Sequence, residues 1–362
     1  MKRRSFLSTL GQAGLLAAGA RGLNSVARAA EDKPRIRIGQ IGSGHAHAEG
    51  KMAALRKSPD FEVVGFVEPD ERLRAVRALE KNATYQGVPM MSEEQLLRTP
   101  GLRAVAVETE VKDLLAVGAR CVAAGMHIHL DKPAGESLPQ FKALLDDATR
   151  RGLTVQMGYM FRYNPAFQFA FRAAREGWLG KIFSIETVIS KAVGAGERNK
   201  LLPYRGGTMF ELGCHVIDAV VTMLGKPDKV TAFARHSGNF KDDLLDNQLA
   251  VLDYANATVS VRSALVEVDG GARRQFVVCG DGGTVDIRPL EPAAMRLALS
   301  QARGEFKKGY QDVKFPALPR YEADFADLAK VIRGEKKFEW PPAHDLAVQE
   351  TVLLASGMKV GV

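Results

Sequence analysis

Arg35-Ile36-Arg37-Ile38-Gly39-Gln40-Ile41-Gly42-Ser43-Gly44-His45-Ala46-His47 is the stretch on which the fold turns. An isoleucine-rich run reads as a strand, and it empties into a Gly-x-Gly turn followed by a helical pattern near His47 to Lys57. Glycines at a strand-to-helix turn let the backbone approach a pyrophosphate, and the helix N-terminus beyond them favours the anion. Gly42, Ser43, Gly44 and His45 are therefore candidate dinucleotide contacts. His47 stands where a third Gly or Ala usually permits tight helix packing, so the turn needs support from its surroundings.

The surroundings supply it. Strand candidates recur at Phe61 to Val67, Ala104 to Val107, His127 to Leu130 and Thr154 to Met157, separated by helical stretches near Glu71 to Lys81, Val111 to Gly125 and Leu138 to Arg151. Ser92 with Gln95 and Ser137 with Gln140 have capping-box spacing, which marks two helix starts. Repeated βαβ units predict a Rossmann dinucleotide-binding domain with a mostly parallel sheet over residues 33–157. The second strand ends at Glu68, whose carboxylate is placed to accept from adenosine ribose hydroxyls. A carboxylate there repels a 2′-phosphate, which favours NAD, while Arg72 and Arg74 lie close enough to keep NADP open.

After Gly180 the texture changes to longer alternating segments at Ile182 to Ser190, Lys229 to Arg235, Gln248 to Tyr254, Ala257 to Ala264 and Gln275 to Val278. Asn256 and the Gly280 to Gly283 cluster supply turns between them. The fold class is α/β, with a C-terminal α+β substrate and oligomerisation domain over residues 158–340 built on a mostly antiparallel open sheet. Residues 341–362 include an amphipathic helix, Ala343 to Ser356, expected to pack back on the first domain. Exposed antiparallel sheets invite self-association, so a homo-oligomer is expected.

Met1 to Arg4 is basic, Gly11 to Ala20 is short and apolar, and Ala27-Arg28-Ala29 fits a cleavage signal. Arg3-Arg4 before Ser5-Phe6-Leu7 resembles a twin-arginine export signal, so residues 1–29 read as a leader that engages the twin-arginine (Tat) machinery. The expected destination is periplasmic or otherwise extracytoplasmic. The leader holds five basic side chains and no acid, so its removal lowers the formal charge from +8 to +3. That balance, without a basic run, leaves no footprint for nucleic acid or an anionic membrane. Cys121, Cys214 and Cys279 are odd in number and sit in apolar settings, which reads as buried thiols. No metal-ligand spacing stands out.

Two further segments carry chemistry. The strand His127 to Leu130 runs into Asp131-Lys132-Pro133, placing Lys132 just past the carboxyl end of a strand, where open α/β sheets bind ligands. In Gly206 to Asp218, read as a helix, Glu211, His215, Asp218 and Thr222 form a narrow polar stripe among apolar and small residues. A stripe of that kind points to an internal pocket, or else to a core histidine paired with a neighbouring carboxylate.

Together these segments resemble the Gfo/Idh/MocA family, which includes glucose-fructose oxidoreductase and inositol dehydrogenase, over nearly the whole mature chain. Gly125-Met126-His127-Ile128-His129-Leu130-Asp131-Lys132-Pro133 is similar to the family's G-K-H-V-x-x-E-K-P signature, whose lysine contacts nicotinamide and substrate; Asp131 and Lys132 match its last acid and lysine. Glu211 and His215 resemble the family's Asp-x-x-x-His pair, in which histidine transfers the proton, and Asp218 its following acid. The likeness also implies a nucleotide contact at Thr109 and pocket-lining roles for Arg162, Tyr163 and Asn164. Asp131 replaces Glu, Glu211 replaces Asp, and Glu110 stands where proline usually follows Thr109.

The resemblance implies NAD(P)-dependent oxidation of a CH–OH group on a sugar, sugar derivative or cyclitol. His215 is then the base, Lys132 stabilises the developing alkoxide, and Glu211 or Asp218 orients the imidazole and favours its protonated form. Export in the folded state implies a nucleotide that stays bound. Two alternatives are an NAD-dependent glycoside hydrolase working by transient oxidation, and a noncatalytic sugar-binding or sensory protein.

Overall fold

The computed structural model describes residues 33–79, 83–238 and 240–360; the expected leader, residues 1–29, lies outside them. Strands β1 (Ile36–Ile41), β2 (Phe61–Val67), β3 (Leu102–Val107), β4 (His127–Leu130) and β5 (Val155–Met157) form a parallel sheet in the order β2-β1-β3-β4-β5. Helices α1 (Ala48–Lys57), α2 (Glu71–Leu79), α3 (Glu93–Leu97), α4 (Val111–Ala123) and α5 (Leu138–Arg150) connect them. The Ser92 capping box closes in both directions, whereas Ser137 makes only the bond from the Gln140 amide, at 3.4 Å.

Strand residues alternate between two apolar layers. Val105, Val107, Ile128 and Leu130 face the cluster that includes α4 and α5. Ile36, Ile38, Ala104 and Ala106 face α1 and a late helix, α9 (Glu322–Ile332), through Phe325 and Leu328. A segment expected in the second domain thus completes the first. The last helix, α10 (Pro342–Ala355), packs on α5 of the first domain and also on the second domain's α8 (Cys214–Leu224), so it ties the two together.

The second sheet has eight strands in the order β13-β12-β11-β10-β6-β9-β8-β7. Five of them, β6 (Ile182–Val188), β7 (Lys229–Arg235), β8 (Asn247–Tyr254), β9 (Ala257–Ala264) and β10 (Gln275–Gly280), follow the alternation seen in sequence. Pairing is antiparallel except between β6 and β9. The other three, β11 (Gly283–Leu290), β12 (Ala293–Leu299) and β13 (Gly309–Val313), were not anticipated. Pro289 and Pro292 interrupt the apolar pattern, and the Ala-, Met- and Leu-rich β12 lacks the β-branched residues that mark a strand. One face of the sheet packs Val259, Phe276, Ile287 and Leu297 onto the core; on the other, Phe183, Phe233 and Tyr310 are exposed.

The domains meet at a buried ion cluster. Arg162, in the 3-10 turn Met160–Tyr163 that follows β5, has no solvent exposure and grips Asp218 of α8 at 2.6–3.1 Å and Asp345 of α10 at 2.5 Å. Its guanidinium lies 5.0 Å from the ring centres of both Tyr159 and Trp340. Burial would push Asp218 up, but Arg162 holds it below the usual carboxylate range. Removing one member of such a cluster strands the others in an apolar setting. Arg162→Met should therefore cost about 3–5 kcal/mol in chemical denaturation, and a loss below about 1 kcal/mol would refute the clamp.

Asp324 of α9 is buried with its Oδ2 unpaired, and burial pushes its carboxyl up to about 7 against the pull of Lys51. From about pH 4 to about pH 7 the folded chain keeps a proton that the unfolded chain has released, so this group removes stability as pH rises. The stability difference between Asp324→Asn and the wild type should move in favour of Asn across that window. A pH-independent difference would refute it.

Candidate active site

At the end of β1 the chain turns at Gly42 with φ +92, and a Cβ there would lie 2.6 Å from the Thr109 backbone nitrogen. Glycine is thus required both by the left-handed conformation and by close approach to the end of β3. Gly44 is tight as well, since its Cβ would meet Glu110 Cγ at 2.9 Å. Ser43 donates to Glu68 twice, from its amide at 2.7 Å and its hydroxyl at 2.5 Å. Glu68 also accepts from the Asp70 amide at 3.0 Å. A groove of about 540 Å³ opens beside them, lined by Gly44, Glu68, Asp70, Arg72, Thr109 and Lys112. Arg72 pairs with Asp70, and Arg74 donates to the Glu68 carbonyl rather than to its carboxylate.

This is a cradle that fits a dinucleotide. Glycines admit the backbone approach, a buried acid waits at the end of β2, and Thr109 Oγ1 is buried without a partner. These residues would hold the adenosine and pyrophosphate half of NAD.

Deeper in the cleft, Asp131 at the end of β4 gathers a cation and several nitrogen groups. Its Oδ2 lies 2.7 Å from His45 Nδ1 and 2.9 Å from Lys51 Nζ, and its Oδ1 accepts from the Lys132 amide at 2.7 Å. Either oxygen stands 3.3 Å from His47 Nδ1. Burial alone would raise Asp131, but His45, Lys51 and His47 bring it well below the usual range. Lys51 reaches Glu108 at 3.1 Å as well, and burial together with Asp131 pushes Glu108 well up. The ligand atoms of His45, His47 and Asp131 lie within 4.8 Å of one another, yet Lys51 already supplies the cation there.

Lys132 crosses to the other domain. Its Nζ donates to the Glu211 carbonyl at 2.7 Å and lies 3.5 Å from that residue's carboxylate. Glu211 belongs to a π-helical turn, Met209–Gly213, that opens directly into α8. The sequence suggests a plain α-helix here; such wide turns are common at functional sites. One turn on, His215 is 1% exposed, ringed by Tyr159, Phe161 and His47 at 5.7–6.2 Å between ring centres, with Nδ1 unpaired. Burial, then the charge on Lys132, lowers it well below the ordinary histidine value.

Two expectations are corrected by this geometry. Neither acid of the stripe orients His215: Asp218 is claimed by Arg162 and Glu211 by Lys132, and the imidazole is held neutral rather than protonated. Arg162 does not line a substrate pocket, because it is sealed in its ion cluster. Tyr163 and Asn164 do border a cavity of about 190 Å³ with Phe161, Glu291, Arg320 and Tyr321. Asn164 also caps helix α6 (Pro165–Arg175), and the Tyr163 hydroxyl bonds Gln156 and Asp327.

Sequence reasoning passed over Lys51, Glu108, Tyr321 and the placement of His47. A lysine on the helix face shared by Ala48, Met52 and Leu55 was a readable signal for Lys51. Nothing local announces Tyr321, which takes a left-handed φ of 71 and sets its ring 5.8 Å from His47.

Comparison with known proteins agrees with this layout. Residues 36–159 match the oxidoreductase family with the NAD-binding Rossmann fold, and residues 167–286 match the GFO/IDH/MocA C-terminal domain. The uncharacterized oxidoreductase YhhX of Escherichia coli (strain K12) is 28% identical over 213 residues, which are 58% of this chain and 60% of that protein. D-xylose 1-dehydrogenase (NADP(+)) 2 of Haloferax volcanii is 28% identical over 235 residues, 63% of this chain and 69% of its own. KijD10, a 3-ketoreductase from Actinomadura kijaniata solved with NADP and TDP-benzene, superposes with a TM-score of 0.72 at 19% identity, covering 88% of this chain and 96% of that one. At that identity the likeness shows the fold. The chain belongs to the Gfo/Idh/MocA family of NAD-binding oxidoreductases.

Proposed function

We propose that this chain oxidises a secondary alcohol of a sugar, sugar derivative or cyclitol, or runs the reverse reduction, with NAD preferred to NADP. The observation that carries the reading is the meeting of two domains at one point: Lys132 from the end of β4 is bonded to the turn that leads into His215. A bound nicotinamide supplies the hydride acceptor. His215, neutral through burial, takes the hydroxyl proton. Lys132 keeps its charge because Glu211 and neighbouring groups outweigh its burial, and it stabilises negative charge developing on the substrate oxygen. Glu68, a buried carboxyl at the ribose end, supports the NAD preference. The Haloferax volcanii relative, named for D-xylose, supports the substrate class.

We further propose that the chain is exported by the twin-arginine route to the periplasm or beyond, self-associates, and carries its nucleotide with it. Denaturing the purified protein should then release NAD in near-equimolar amount, and protein without nucleotide would refute retention.

The deciding experiment screens D-xylose, D-glucose, myo-inositol and 4-nitrophenyl glycosides together. Cofactor reduction without nitrophenol release is the expected result; nitrophenol release without net reduction would replace it with the hydrolase reading. His215→Ala and Lys132→Ala should each lower turnover about a hundredfold or more while nucleotide affinity stays within a few-fold. Unchanged turnover in both would remove the assignment.

A further inference from the structure

Among the described residues, no carboxylate bonds His215 to receive a proton from it. Asp218 and Glu211 face Arg162 and Lys132, and the fully buried Nδ1 of His215 has no partner. The nearest other imidazole is arranged differently. His47 turns Nδ1 toward Asp131 at 3.3 Å, its side chain is 17% exposed, and its ring centre lies 6.1 Å from that of His215. An ionised carboxylate only accepts, so Asp131 fixes His47 as the Nδ1–H tautomer and leaves the Nε2 lone pair free.

We propose that His47, oriented by Asp131, is the relay that accepts the proton from His215 and passes it to solvent. This rests on the oxidoreductase reading above. The substrate O–H bond breaks to His215, the imidazolium gives that proton to His47 Nε2, and His47 releases it to water, so both imidazoles end neutral.

The groups around His47 leave it as the candidate. His45 sets one nitrogen against Asp131 and the other 3.0 Å from the Lys132 carbonyl. Lys51 is fully buried between Asp131 and Glu108, with Tyr321 over it at 5.7 Å. The charged or titratable neighbours facing His47 are thus Asp131, His45, Lys51, Lys132, His215 and Tyr321. Burial lowers His47 to about 4 against the pull of Asp131, so it stands ready as the free base near neutral pH. The position normally holds a small residue in this turn, so His47→Ala suits the backbone.

The test uses the full chain with NAD. Nitrogen-15 histidine NMR should show His47 as the Nδ1–H tautomer in the wild type, with Asp131→Asn removing that preference; an Nε2–H signal in the wild type overturns the proposal. On each sugar of the panel that the wild type oxidises, His47→Ala should lower kcat about tenfold to a hundredfold, leave the KM for NAD within twofold, and make turnover rise with imidazole buffer concentration. A merely structural role predicts no buffer dependence. Loss in His215→Ala with none in His47→Ala would overturn the relay and keep the oxidoreductase reading; a wild type that oxidises no panel sugar would bring down both.

Discussion

The cleft is organised by one buried carboxylate. Asp131 joins two stretches of chain that sequence keeps apart: the glycine turn and the helix α1 that follows it, through His45, His47 and Lys51, and the end of β4, where it also takes the Lys132 amide. Placing such a charge out of water is costly unless cations and donors surround it. Here they do, and the same contacts that stabilise Asp131 hold the glycine turn against the end of β4. The position of the Lys132 side chain follows, since its backbone amide is anchored to that carboxylate while its ammonium reaches the second domain.

The second domain answers with an exchange of partners. Arg162 takes Asp218, which leaves His215 without that acid's pull, while burial and then the charge on Lys132 keep the imidazole neutral. Had Asp218 faced His215, the imidazole would favour its charged form and be a poor acceptor for a hydroxyl proton.

Much of this could be read before any coordinates. The βαβ order, Glu68 at the end of β2 and Lys132 past β4 are encoded locally, in apolar periods and in glycine spacing. The helical stripe put Glu211, His215 and Asp218 on one continuous helical run, which the structure divides into a π turn and α8, but periodicity does not say which cation from elsewhere claims each acid. Arg162 lies 56 residues from Asp218, and Asp345 is farther still. The three strands at one end of the second sheet were hidden for a different reason: β12 pairs through its backbone while its side chains suit a helix, so sheet register overrode propensity.

Several departures from ordinary geometry lie at the cleft. Tyr321 holds a left-handed backbone, residues 209–213 widen into a π turn, and Thr109, Glu211 and His215 each bury an unpaired polar atom. An unpaired buried polar group costs about 1–3 kcal/mol, and a strained backbone position costs a similar amount. The apolar cores on either side carry no such burden at Val105, Ile128, Val259 or Phe276. A cleft that tolerates several such costs where its two domains face each other is completed by something it binds.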